Sequence, residues 1–516
     1  MVSNYFLHHG KTNIWGEKIT MNITQHIERG AQFFPHKTAL IFEEKVFTYG
    51  ELNELANRVT NGLRYLGIKC GDRVALFLPN IPEFVITYLA IIKRGAVVVS
   101  VNSMLKSEEV RFILNDSEAV AVVTTESLRE QIPDRDLAFL RNVLITQGET
   151  DRDISLSTLM EKGSADFKTV SMEPTAPAAI VYTSGTTGFP KGATLSHGNI
   201  CSNMHSVKHC CQIDSDDKLL LFLPLSHCFG QNFILNGGLN ACATIILQRR
   251  FRPEDVLKAI HSHSVTMLFG VPTVFLRLLE TGVSPSDFNS VRYYFSAAAK
   301  ISVDLVCQWQ EFCGKLIYEG YGLTETSPFA CYNHDLRYKL GSIGMPIENV
   351  EMKVVNEAGD ELECGEVGEL LIRGPNVMLG YWNRTTETQK VLDNGWFHTG
   401  DLGSMDQDGY FYIVDRLKDM INVSGFKVYP SEVEKVILEH PAVLEAAVYG
   451  MSDRLKGEIV NANIVLKPSK FVSAEEIKSF CAQRIANYKV PHTFHFVDYI
   501  PKNATGKVLK RVLQQT

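Results

Sequence analysis

The sequence predicts an α/β protein. A large N-terminal domain of layered α/β subdomains carries a small β-rich subdomain and is followed by a small α+β C-terminal domain. Three observations predict this. Short apolar runs alternate with helical stripes through most of the chain, the pattern of parallel sheets covered by helices. After Gly341 the texture changes to short strands with glycine turns: VEMKVV, GEVGELLIRG and YFYIVDR. Around Arg416 to Lys418 it changes again, to mixed helices and strands. The expected domains are residues 1–415 and 419–516, joined through 416–418.

Each element has a local cause. Thr48 can cap a helix, Glu51 stands three residues on, and Leu52, Leu55, Val59, Leu63 and Leu66 form its stripe before Gly67. RVALFL (73–78) reads as a strand ended by Pro79 and Pro82. There follow a helix over 83–93, a strand over 96–101, a helix over 106–114 and a strand over 119–123. The span 124–173 is more polar and less regular. Strands are expected again at IVYTSG, at 219–225, 243–247 and 265–273, with a helix over 253–262. The C-terminal residues give helices at 430–440 and 474–484, and strands at 444–450, 462–466 and 493–497.

Composition excludes several classes. Apolar residues are 45% and charged residues 21%, too apolar for a mostly disordered chain. Lys plus Arg number 51 against 58 Asp plus Glu, a net charge of −7, so no broad basic surface for nucleic acid is expected. The eleven cysteines stand singly apart from Cys210–Cys211, without the paired spacing of a zinc site, and read as reduced thiols. The most membrane-like run, 85–101, is interrupted by Lys93 and Arg94 and reads as a helix ending at Gly95 before a buried strand. No signal-peptide pattern is seen, and the expectation is a soluble, cytoplasmic protein.

The most informative segment is Y-TSGTTGFPKG-A, 182–193. Glycines at 185, 188 and 192 allow backbone N–H groups to turn inward; Thr183, Ser184, Thr186 and Thr187 add hydroxyls and Lys191 a charge. Those donors suit a polyphosphate. The spacing is not that of a Walker A loop, because Pro190 stands where its second glycine belongs. From composition alone, a flexible surface turn is the rival reading.

This segment resembles the signature loop of the adenylate-forming enzymes: acyl- and aryl-CoA synthetases, luciferases and peptide-synthetase adenylation domains. The chain also carries LPLSHCFG (223–230), YGLTET (321–326), TGD (399–401), DRLKDMINVSGFKVYPSEVE (415–434) and PKNATGKVLKR (501–511), in that family's order. The resemblance covers nearly the whole chain. It implies the adenylate-forming fold, with a small mobile C-terminal domain, and ATP, Mg²⁺ and coenzyme A as cofactors.

The resemblance also implies residue roles. Thr183, Ser184, Gly185, Thr186, Thr187, Gly188 and Lys191 would hold the β- and γ-phosphates. Glu325 matches the magnesium-side carboxylate, Thr324 the α-phosphate contact and Tyr321 the ring on adenine, with Ala298, Glu319 and Gly320 beside the nucleotide. Asp401 matches the ribose acceptor and Arg416 its partner. Lys507 matches the lysine that reaches the α-phosphate and carboxylate during adenylation. Lys418 matches the hinge, and Ser424, Gly425 and Phe426 the path of the pantetheine arm.

The acyl pocket is read from His227, Phe229, Phe269, Ala297, Gly320 and Gly322, with His227 resembling a gating histidine. No acidic residue stands near Cys228 to Gln231 to hold an α-amino group, which disfavours an amino acid. Apolar neighbours favour a medium- or long-chain fatty acid, with a cinnamate-like aryl acid as the alternative. No insertion of the fatty acyl-AMP ligase kind precedes the hinge, which favours coenzyme A over an acyl carrier protein as acceptor. A catalytically inactive nucleotide-binding scaffold is the remaining alternative; the full set Lys191, Glu325, Asp401, Arg416 and Lys507 argues against it. No integral membrane segment is expected, and the chain would act as a monomer or homodimer.

Overall fold

The structure, a computed structural model, describes residues 20–148, 152–183, 190–424, 426–453, 457–502 and 508–514. The chain opens with helix α1 (Gln25–Phe33), strand β1 (Thr38–Phe42) and helix α2 (Tyr49–Tyr65). The capping box expected at α2 is present: Thr48 Oγ1 accepts from the Glu51 amide at 3.2 Å, and the Thr48 amide donates to Glu51 Oε2 at 2.8 Å. Then follow β2 (Arg73–Phe77), α3 (Pro82–Lys93), β3 (Val97–Ser100), α4 (Ser107–Asp116) and β4 (Ala119–Thr125). These match the expected alternation.

Within the irregular span, β5 (Asn142–Thr146) pairs parallel with β4, an element that its polar surroundings hid from the sequence pattern. Next come β6 (Pro177–Thr183), β7 (Lys191–Ser196) and α5 (His197–Cys210). The glycine-rich segment leads into strand β7 before α5, which Ser196 caps by accepting from the Asn199 amide. The remaining core strands are β8 (Lys218–Leu221), β9 (Thr244–Leu247), β10 (Met267–Gly270), β11 (Tyr293–Ser296), β12 (Ile317–Tyr321) and the two-residue β13 (Gly380–Tyr381). β8 stops short of the expected 225, before Pro224, and the run 265–273 divides into β10 and a helix (Pro272–Glu280) with proline in its first turn.

Among the described residues one sheet runs β13-β7-β6-β3-β2-β4-β5 and ends on Ile154–Ser155. The second contains β12-β11-β10-β8-β9-β1 as a continuous parallel block. Parallel strands need cover on both faces, which explains why β3 and β4 are buried at every position. α3 is likewise buried along its length, accounting for the membrane-like run. Lys93 can lie inside because its Nζ donates to Glu28 Oε1 at 2.8 Å and Thr169 Oγ1 at 3.3 Å. No helix among the described residues is long and apolar enough to cross a membrane.

The chain packs as two compact units, one of residues 1–340, 344–351 and 372–397, the other of 341–343, 352–371 and 398–516. Compactness groups most of the β-rich segment with the C-terminal residues, whereas the division at 415/416 is one of sequence texture and proposed motion. In the second unit Ile421–Val423, Phe426–Val428, Val443–Asp453, Gly457–Leu466 and Thr493–Phe496 form a sheet. Val433, Ile437, Val448, Val460, Ala462 and Ile477 make its core beneath the helices Pro430–Leu438 and Ala474–Ala482.

Candidate active site

In an open parallel sheet, a ligand crevice opens beyond the strands' carboxyl ends where successive connections leave in opposite directions. In the second sheet this happens at β8, whose neighbours are β9 on one side and β10 on the other. The segments leaving β8, β10, β11 and β12 contain His227, Val271, Ala297 and Ala298, and Gly322 to Glu325. Four separate sequence signals therefore meet at one edge.

Asn80 braces the segment after β8. Its Nδ2 donates to the Leu223 and Gln248 carbonyls at 2.9 and 3.2 Å, and its Oδ1 accepts from the Leu225 amide at 2.9 Å. His227 Nδ1 accepts from the Phe229 amide at 3.2 Å, which leaves the proton of the neutral ring on Nε2. Burial pushes this imidazole down to about 4, so it is neutral at pH 7. A helix of π type, Phe229–Asn236, then begins, a geometry often found at functional sites. Phe233 stacks on Phe295 at 4.9 Å and meets Phe229, Phe269 and Phe329 edge-on at 5.3, 5.8 and 5.0 Å. Phe229 and Phe269 thus lie in one buried aromatic cluster.

Gly320 and Gly322 are held by close approach. A Cβ at Gly320 would stand 2.1 Å from Phe295 Cζ, and one at Gly322 would stand 1.7 Å from the Pro328 carbonyl oxygen. Ala298, next to half-buried Ala297, has φ +68°, a left-handed conformation that is strained for a residue with a Cβ. Glu319 is buried in β12; its Oε1 accepts from the Ile301 amide at 3.3 Å, and burial raises its carboxyl to about 8. Tyr321 ends β12 half-buried. Thr324 and Glu325 follow in a buried 3₁₀ turn. Burial and the nearby Glu325 charge push the Cys228 thiol up, so this turn stands near the His227 segment.

In the first sheet Thr183 and Lys191 face each other across the antiparallel β6–β7 pair. Ser184, Gly185, Thr186, Thr187 and Gly188, between them, lie outside the described residues. Lys191 Nζ stands 5.2 Å from the centre of the Tyr381 ring, and the Tyr381 hydroxyl donates to Glu325 Oε1 at 2.8 Å. The candidate phosphate lysine and the candidate metal carboxylate are thereby joined through one residue that the sequence reading did not select.

The second unit holds the candidate ribose pair. Asp401 and Arg416 are cross-strand partners, with Arg416 Nε 2.8 Å from Asp401 Oδ1. Asp401 is buried, and its amide donates to Thr399 Oγ1 at 3.0 Å, while Thr399 Oγ1 donates to the Leu370 carbonyl at 2.7 Å. Lys418 lies exposed in the 3₁₀ turn Leu417–Asp419. Ser424 has φ +52°, and Phe426, more than half exposed, stacks on Tyr488 at 4.8 Å. Gly425 and Lys507 lie outside the described residues.

The family model described as AMP-binding enzyme matches residues 27–382, and that described as AMP-binding enzyme C-terminal domain matches 432–507. The chain belongs to the AMP-binding enzyme family. It is 35% identical to the long-chain-fatty-acid–CoA ligase of Bacillus subtilis (strain 168), across 93% of this chain and 92% of that one. It is also 35% identical to a feruloyl-CoA synthase of an Amycolatopsis species, across 93% of this chain and 96% of that one. The solved structure of ATP-bound MatB from Rhodopseudomonas palustris superposes with a TM-score of 0.90 at 32% identity, covering 96% of this chain and 99% of that one. The family, the adenylate-forming fold and the acid–thiol ligase class expected from the motifs are thus shown.

An AMP-binding enzyme of this kind needs no all-protein metal cage, and among the described residues no group of three His, Cys, Asp or Glu side chains forms one. Glu325 fits magnesium: it is a single buried carboxylate, and a hard cation between phosphate oxygens is commonly held by one such group with water. The residue missed by sequence reasoning, Tyr381, sits in the GYWNR segment. Its only local signal was an aromatic after glycine, because its partners Lys191 and Glu325 are far away in the chain.

Proposed function

We propose that this protein activates a medium- or long-chain fatty acid with ATP and Mg²⁺ as an acyl-AMP and transfers the acyl group to coenzyme A, releasing pyrophosphate and AMP. The observation that supports the reading best is the line Lys191–Tyr381–Glu325, which lies near Cys228 and the adjoining His227 and aromatic cluster. One end offers cation and carboxylate to a triphosphate; the other offers apolar surface to an acyl tail.

In the first step a carboxylate oxygen of the acid attacks the α-phosphorus and pyrophosphate leaves. Thr183, Lys191 and the residues between them would hold the β- and γ-phosphates, Thr324 the α-phosphate, and Asp401 with Arg416 the ribose. Magnesium, held by Glu325, would neutralise charge on the phosphate oxygens. Lys507 would add its charge at the α-phosphate, so this step runs chiefly on positioning and electrostatics. In the second step the coenzyme A thiol, losing its proton, attacks the acyl carbonyl and AMP leaves. Turning about Lys418 would withdraw Lys507 and bring Ser424, Gly425 and Phe426 to the pantetheine path. The neutral His227 ring would line the acyl entrance. The reading places the enzyme in the cytoplasm, as a monomer or homodimer, and makes an acyl carrier protein the lesser acceptor.

A second reading, an aryl acid as substrate, is supported by the feruloyl-CoA synthase relative and by the aromatic character of the Phe229, Phe233 and Phe295 cluster. Purified enzyme with ATP, Mg²⁺ and coenzyme A should release AMP faster with decanoate or palmitate than with acetate, coumarate or any amino acid. Fastest release with coumarate or benzoate would move the assignment to the aryl branch. Preference for an amino acid would overturn both.

A further inference from the structure

Lys191 and Glu325 come from segments distant in sequence, yet one short piece of backbone fixes them both. β13 pairs antiparallel with β7, placing Gly380 opposite Thr194 and Tyr381 opposite Ala193. Residues two apart on a strand share a face, so Lys191 lies on the same side as Ala193 and beside Tyr381. The Leu379 amide donates to the Thr194 carbonyl at 2.9 Å and the Trp382 amide to the Gly192 carbonyl at 2.8 Å, locking the register. From the same piece the Met378 amide donates to the Glu325 carbonyl at 2.8 Å. The Tyr381 amide itself is held by Thr388 Oγ1 at 2.9 Å.

The side chain then makes two contacts of different kinds. Its hydroxyl donates to Glu325 Oε1 at 2.8 Å, and its ring face receives the Lys191 ammonium at 5.2 Å. A phenol keeps its proton at neutral pH and a carboxylate can only accept, so the hydroxyl is the donor. Fixing one carboxylate oxygen fixes the rotation of the whole group.

We propose that Tyr381 is a positioning residue that orients the Glu325 carboxylate for the metal and the Lys191 ammonium for the nucleotide phosphates. This rests on the roles given to Glu325 and Lys191 above. The two contacts can be separated, because phenylalanine keeps the ring and loses the hydroxyl, whereas leucine loses both.

Binding of Mn²⁺, a paramagnetic stand-in for Mg²⁺, is followed by electron paramagnetic resonance in the presence of a non-hydrolysable ATP analogue. Binding of the metal-free analogue is measured separately by calorimetry. Tyr381→Phe should weaken Mn²⁺ binding about 10-fold, as expected when a partner of a metal ligand is removed, and leave metal-free analogue binding unchanged. Tyr381→Leu should weaken both. Glu325→Gln is the reference. If Glu325→Gln loses Mn²⁺ and Tyr381→Phe does not, the positioning role alone is overturned. If Glu325→Gln binds Mn²⁺ as the parent does, the metal reading falls and this proposal with it. Equal analogue binding by the Phe and Leu variants would overturn the Lys191 half.

Discussion

At the scale of single residues, the site is set by close approaches. Gly320 ends in contact with Phe295, and no side chain can stand there without moving a ring that is itself stacked on Phe233. Gly320→Ala should therefore displace the aromatic cluster at a cost of about 1–3 kcal/mol in stability, the usual range for overpacking. Because that cluster adjoins the proposed acyl pocket, KM for the acid should rise several-fold, and by more than KM for ATP, beside whose expected site Gly320 also lies. Steady-state kinetics with each substrate varied in turn would check this. Equal increases in both would show that the ring cluster does not border the acyl tail.

At the scale of elements, the turn Leu417–Asp419 follows a strand whose last residue, Arg416, is fixed to Asp401. A pivot just after a fixed residue can change orientation without disturbing the ribose pair. Lys418→Pro fixes φ at that pivot. It should spare ATP–pyrophosphate exchange and depress thioester formation from supplied acyl-AMP by at least about 10-fold. Lys507→Ala should do the reverse, lowering exchange by about 10²-fold, or close to 3 kcal/mol of transition-state stabilisation. Parallel loss of both activities in either variant would refute the division of labour between the two segments.

At the scale of the whole molecule, α1 is docked through buried histidines. His26 Nδ1 meets the Ile23 carbonyl, and the Ile23 amide donates to His197 Nδ1 at 3.3 Å. Burial pushes both rings from 6.5 down to about 4; for His26 the charges of Arg29 and Lys93 also push down, while the Ile23 hydrogen bond and Glu28 oppose. Below about pH 6.5 the unfolded chain takes up protons at these positions and the folded chain does not, until about pH 4. Stability is therefore flat with respect to these groups above pH 6.5 and falls as pH is lowered through that window. Each ring accounts for on the order of 3 kcal/mol by its lower end. The urea midpoint should drop between pH 7 and pH 5, and His197→Gln should flatten the slope. An unchanged slope in that variant would remove His197 from the account.

The sequence by itself determined the alternating elements and the family, and it supplied the candidate site residues that the proposed function uses. The reason is that apolar periodicity, helix caps and motif spacing are local properties of the chain. α2 shows this, since its stripe and its Thr48–Glu51 cap both lie within the segment they form. The tertiary structure alone decided that β8 is the switch point, that Gly320 must yield to Phe295, and that Lys191 and Glu325 share Tyr381. It likewise decided that β5 and β7 are strands, because partners across a sheet, rather than the residues within either segment, supply their hydrogen bonds. Contacts between segments far apart in the chain leave no periodic trace in one sequence, and this site is assembled from such contacts.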